Sequence, residues 1–200
     1  MKVSSLLAVA ALFSLSSTAV AQPVAVGAPV AGSTVITFNA IPAFTSLSNQ
    51  FAGLGVSIAS SCVMTRDDYN AAFGGDPIQV ANFDQNGLDC AGGASYPNVT
   101  FNFASTINYF GLKGISNGTI TLTNSNGSMG VSAPPLHATF IGFTDATGFN
   151  SVTISADHGG AFAIDDVSFA STVPEPSSVA LVAVGMLAVA AAARRKRTVA

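Results

Sequence analysis

Tryptophan is absent from this 200-residue chain, cysteine and histidine occur twice each, and only 8% of the residues are charged. Each shortage removes a class of function. With no tryptophan, and tyrosine only at Tyr69, Tyr96 and Tyr109, the chain lacks a broad aromatic platform of the kind on which sugar rings stack. His137 and His158 lie 21 positions apart with no cysteine or acidic partner at finger-like spacing, which argues against zinc. Cations are scarcest in the middle. From Gln22 to Thr172 only Arg66 and Lys113 stand against nine aspartates, a net of −7. That balance excludes a basic nucleic-acid binder, and it disfavours docking onto an anionic polymer unless a cation bridges the two. A long helical period is missing as well, which argues against βαβ units.

The remaining cations sit at the ends, with Lys2 at one and Arg194, Arg195, Lys196 and Arg197 at the other. Residues 1–21 combine Lys2, an apolar run from Leu6 to Leu15, and small residues at Ala19 and Ala21. A positive start, a short apolar core and small residues at −3 and −1 make a cleavable signal peptide. The run is too short to span roughly 30 Å of hydrocarbon. Signal peptidase is therefore the first expected partner, cutting after Ala21. At the other end, Val173-Pro174-Glu175-Pro176-Ser177-Ser178 precedes the uncharged run Val179–Ala193 and then the basic cluster. Fifteen helical residues reach only roughly 22 Å, which makes a short single transmembrane helix and a weak anchor. The basic stop would stay cytoplasmic, leaving the middle of the chain outside the inner membrane.

Pro174, Glu175 and Pro176, the apolar run and the Arg-rich terminus together resemble the PEP-CTERM sorting signal of Gram-negative bacteria. The resemblance covers residues 173–200. It implies recognition by an exosortase, an integral-membrane transpeptidase-like enzyme, with transient residence in the inner membrane. It further implies a final location at the cell surface or in an extracellular matrix, often with exopolysaccharide or biofilm. The signal concerns sorting and leaves open what the sorted domain does.

Between a lead-in at 22–33 and the signal, residues 34–172 suffice for one domain with a core of its own. Short β-branched and aromatic runs alternate there with Gly, Asn, Ser and Pro. This is the pattern of an all-β, antiparallel, jelly-roll-like β-sandwich. Strands are expected near Thr34–Asn39, Val56–Ser60, Ile78–Phe83, Asn98–Phe103, Ile107–Lys113, Thr119–Asn124, Leu136–Phe143, Ser151–Ala156 and Phe162–Phe169. Asn117-Gly118 and Asn126-Gly127 read as hairpin turns, because asparagine and glycine tolerate positive φ. In an exported chain, Cys62 and Cys90 are expected to form a disulfide. The closed loop would contribute roughly 3 kcal/mol in the chain-entropy account.

Gly114-Ile115-Ser116-Asn117-Gly118 fits the G-x-S-x-G spacing of a nucleophile elbow, with Asp145 or Asp157 and then His158 next in order. An elbow needs a strand turning into a helix. Thr119-Ile120-Thr121-Leu122-Thr123 is a strand pattern, so the segment reads as a hairpin and the chain is not expected to be an enzyme. Structural calcium is the candidate cofactor, since it takes oxygen ligands and the domain is rich in aspartate. Asp84-Gln85-Asn86-Gly87-Leu88-Asp89 carries only a fragment of a calcium loop. Asp165 and Asp166 are better placed, because strict alternation puts one carboxylate on each face of a strand, and an inward one needs a partner or a cation. Phe162–Phe169 is similar to the last strand of jelly-roll carbohydrate-binding modules, in which an aspartate helps hold calcium. Hydrogen bonding to backbone at a bulge explains the same pair. Tyr69 and Tyr96, in loops, are the candidate ligand contacts, while the phenylalanines occupy core-like positions. The sequence therefore points to an exported structural or adhesive protein, with calcium-dependent carbohydrate binding as the alternative.

Overall fold

A computed structural model of the chain describes residues 22–83, 96–134, 137–157 and 160–171. The expected signal peptide, the Asp84–Asp89 fragment, Cys90, His158 and the C-terminal signal lie outside the described residues. Ten strands form among the described residues: β1 (Val24–Val26), β2 (Thr34–Ile36), β3 (Val56–Ala59), β4 (Met64–Arg66), β5 (Gln79–Ala81), β6 (Val99–Ser116), β7 (Thr119–Asn124), β8 (Gly127–Ser132), β9 (Thr139–Ala156) and β10 (Phe162–Ala170). One 3-10 turn spans Ala52–Leu54. No helix among the described residues is long and apolar enough to cross a membrane.

Every pairing of these strands is antiparallel, and two 18-residue strands, β6 and β9, run through both layers of a sandwich. The first half of β6 pairs β3, the second half of β9 pairs β7, and β7 pairs β8. These make one layer. The second half of β6 pairs β10, the first half of β9 pairs β1, and β10 carries both β5 and β2, with β4 beyond β5. These make the other. Register shifts between Asn102 and Tyr109 mark where the paired long strands bend from one layer to the other. Gly148 sits in that bend at φ 74°, a left-handed conformation that side chains with a Cβ resist.

Four expectations about strands change. The segments expected as separate strands at Asn98–Phe103 and Ile107–Lys113 are one strand, and the Thr139–Phe143 part of the expected Leu136–Phe143 strand joins Ser151–Ala156 in another. Ala104, Ser105 and Thr106 are all exposed. That breaks the alternation and mimics a turn, while main-chain pairing resumes beyond the bulge. Val24–Val26, within the lead-in, pairs with Gly142–Thr144. β4 and β8 have no counterpart among the expected strands, being respectively short with a charge and rich in glycine and serine.

Inward residues of both layers form a single core. Phe101 and Phe103 of one half of β6 meet Phe110 of the other at ring separations of 5.8 and 6.0 Å. Phe38, Phe101, Phe110, Phe143 and Phe149 are almost wholly buried, each burial contributing about 2–3 kcal/mol before entropy is counted. A second, smaller cluster of Phe73, Ala81, Phe83, Ile115 and Ala163 lies apart from this core. It sits on the outer face of the β5–β10–β6 layer, where Tyr69, Ala72 and Phe73 of the segment before β5 cover it. That cover creates the buried polar environment of the candidate site.

Candidate cation centre

The site begins with a break in strand β10. Asp165 pairs Lys113 and Ser168 pairs Gly111, so Asp166 and Val167 together oppose Leu112. Asp166 adopts φ 48°, in the left-handed region that asparagine and aspartate tolerate better than most residues. Strict alternation therefore fails here, and a bulge replaces it. Asp165 lies on the outer face of its layer, with Lys113 and Ile115, yet it is fully buried under the covering segment. Asp166, expected to point the other way, remains half-buried.

The covering segment adds a third carboxylate. Oxygens of Asp76, Asp165 and Asp166 all lie within 4.8 Å of one another. Asn39 Nδ2 donates to Asp76 Oδ1 at 2.7 Å, and Gln79 Nε2 donates to the Asp76 carbonyl at 2.5 Å. Lys113 Nζ sits 2.7 Å from Asp166 Oδ2. The Asp166 N–H donates to Asp165 Oδ1 at 2.7 Å, but Asp165 Oδ2 is buried with no hydrogen-bond partner. Gln79 Oε1 is orphaned in the same way. The β5–β10 pairing runs from Ala163 with Ala81 to Ile164 with Val80, and Asp165 and Gln79 are the next residue on each strand.

Burial pushes the Asp165 carboxyl up to about 7; the Asp166 N–H opposes that, the Asp166 and Asp76 charges add to it, and Lys113 opposes it. Contact with Asp166 raises the Lys113 ammonium in turn. A hard cation coordinated by oxygens at 2.3–2.6 Å spans ligand pairs up to about 5 Å apart, which this group matches. The donors are all oxygen, which suits calcium and not a thiolate- or imidazole-seeking metal. Asp76, Asp165 and Asp166 could hold such an ion, with water completing the shell. Asp76 comes directly after Gly74-Gly75, a turn signal, but nothing in the sequence ties it to a strand ninety residues away.

Tyr69, Tyr96, Ser116 and Cys62 lie among the described residues as well. Tyr69 and Tyr96 both pack edge-on against Phe83 at 6.0 Å, so each ring is engaged within the second cluster. Tyr69 also lines a cavity of about 140 Å³ with Phe83, Ile115, Ser116, Asn117 and Phe162. Burial raises its phenol. Ser116 ends β6, donates its hydroxyl to the Ala161 carbonyl at 3.1 Å, and leads through a turn into β7. Strand–turn–strand is not the setting of a nucleophile elbow. Cys62 is buried and is not a free thiol. Its expected partner, Cys90, lies outside the described residues.

The last strand of the sandwich, β10, ends at Ala170. Residues 172–197 match the PEP-CTERM protein-sorting motif. The motif implies export, exosortase processing and surface localisation. Among curated proteins none matches the chain. Two solved structures of family 29 carbohydrate-binding modules align with 13% and 15% identity. Each alignment covers 70% of this chain, with 93% and 88% of theirs, at TM-scores of 0.39 and 0.37. A domain of a bacteriophage tailspike protein aligns at 14% identity over 64% of this chain and 21% of its own, with a TM-score of 0.34.

Proposed function

We propose that the chain is an exported, exosortase-processed protein whose β-sandwich serves a structural or adhesive role at the cell surface or in an exopolysaccharide or biofilm matrix. One observation carries the reading. The sorting motif begins at residue 172, directly after the last strand of the sandwich ends at Ala170. Processing there would release the sandwich without cutting a strand. Signal peptidase acts first, after Ala21, and the exosortase second. Asp76, Asp165 and Asp166 hold a structural calcium that neutralises the buried carboxylate and fastens the covering segment to β10.

Mass spectrometry of the surface fraction tests the processing. The expected C-terminus lies between Thr172 and Val179, whereas recovery of peptides containing Arg194 from that fraction contradicts it.

A second reading, calcium-dependent carbohydrate binding, is favoured by the cavity that Tyr69 lines beside Ser116 and Asn117. Under it, glycan binding is saturable, is lost on chelation, and falls on Tyr69→Ala or Tyr96→Ala. Under the structural reading no saturable binding appears with or without calcium.

A further inference from the structure

We propose that the outer edge of β8 is the docking edge for a second copy of this chain. A free strand edge presents unpaired N–H and C=O groups, and proteins usually blunt such edges with charge, proline, bulges, brevity or a covering loop. Among the described residues the other edges are blunted. β4 is covered by residues 44–46, through Phe44 N to Thr65 O, Thr65 N to Thr45 O and the Ser46–Met64 bridge. β3 is covered by residues 48–51, through Ile58 N to Ser48 O and Val56 N to Phe51 O. β1 and β2 are three residues long, and Pro23 precedes β1. By contrast, β8 has six residues, pairs β7 without a register shift, and has no strand on its other side among the described residues. It contains neither charge nor proline, in a domain whose net charge of −7 repels a second copy elsewhere.

Geometry fixes the pairing. Ala133 N donates to Gly118 O, so odd-numbered residues on this side of the hairpin turn their main chain toward β7. Thr119 N donates to Asp157 Oδ2, which agrees, because odd-numbered residues of β7 then face away from β8. The main-chain groups of Ser128, Gly130 and Ser132 therefore point outward. Antiparallel self-pairing about a two-fold axis at Gly130 sets Ser128 opposite Ser132 of the copy and joins these outward groups to one another. The same register sets Met129 opposite Val131. Both are only partly buried against the core, and pairing would cover them.

Sedimentation of the full chain in detergent micelles tests this, read together with hydrogen exchange. A concentration-dependent dimer is expected, with protection of the Ser128, Gly130 and Ser132 amides rising as it forms. Ser128→Lys with Ser132→Lys places like charges opposite each other and should weaken the dimer by at least about tenfold. Ser128→Lys with Ser132→Glu places opposite charges together and should restore it, which excludes misfolding as the cause of the loss. A chain that stays monomeric overturns the proposal. So does a dimer that the double-lysine variant leaves intact, or one whose β8 amides stay unprotected, since association then runs through another part of the chain.

Discussion

Asp145 shows how this chain holds a buried carboxylate by hydrogen bonds. It is 1% exposed, and burial pushes its carboxyl up, but donors from Thr147, Asn126 and Asn124 outweigh that and hold it below the usual range. Thr147 Oγ1 donates at 2.6 Å, and the Asn124 and Asn126 amides at 2.9 and 2.8 Å. A carboxyl depressed in the folded state stabilises above its unfolded value of about 3.9, and that contribution is lost as pH falls through the lower folded value. Asp145→Asn turns an NH2 toward donors and should cost about 1–3 kcal/mol at pH 7, with a shallower loss of stability below pH 4 in urea titrations. Asp165 is the opposite case, a buried carboxylate without enough donors. Asp165→Asn removes the buried charge and with it the reason to bind a cation. Melting in chelator and in calcium should therefore differ for the native chain and coincide for the variant. A calcium response that survives in Asp165→Asn would place the ion elsewhere.

At the scale of elements, the bend in β6 and β9 decides the architecture. A Cβ at Gly148 would stand 2.5 Å from Thr106 Cγ2, and φ 74° would be strained as well. Gly148→Ala should lower stability by about 1–3 kcal/mol in urea unfolding, whereas Gly53→Ala, with open space around it, should cost well under 1. This bend also marks the limit of what the residues disclose. Val99, Phe101 and Phe103 alternate cleanly with Thr100 and Asn102, and the strand there is legible. The exposed Ala104-Ser105-Thr106 reads as a turn because alternation reports side-chain burial, and a strand changing layers loses burial while keeping its main-chain partners. The site is half legible for a related reason. Asp165-Asp166 stand out as carboxylates in an apolar strand, and the bulge that sets their geometry is one of two readings that the pattern allows. Asp76, in the segment before β5, joins them only across about ninety residues of chain, a contact that no local pattern encodes.

For the whole molecule, charge and sorting belong together. A domain with nine aspartates and two cations would gain from a divalent ion, and calcium is the ion proposed above because it takes oxygen ligands in flexible geometry. At one hundred times its dissociation constant an ion contributes about 2.7 kcal/mol, or about 5–10 °C in midpoint for a domain of this size. A rise of that order on adding calcium to the chelated chain, absent with magnesium, is the expected result in differential scanning fluorimetry. The C-terminal end serves another purpose, since the motif at residues 172–197 implies sorting. The central claim, that the C-terminal motif sorts this sandwich to the surface, is tested most directly by fractionating cells that produce the native chain or the Pro174→Ala, Glu175→Ala, Pro176→Ala variant. The native chain should reach the surface or matrix without its tail, and the variant should stay in the inner membrane with its tail intact. Equal release of both, with the same C-terminus, would contradict the account.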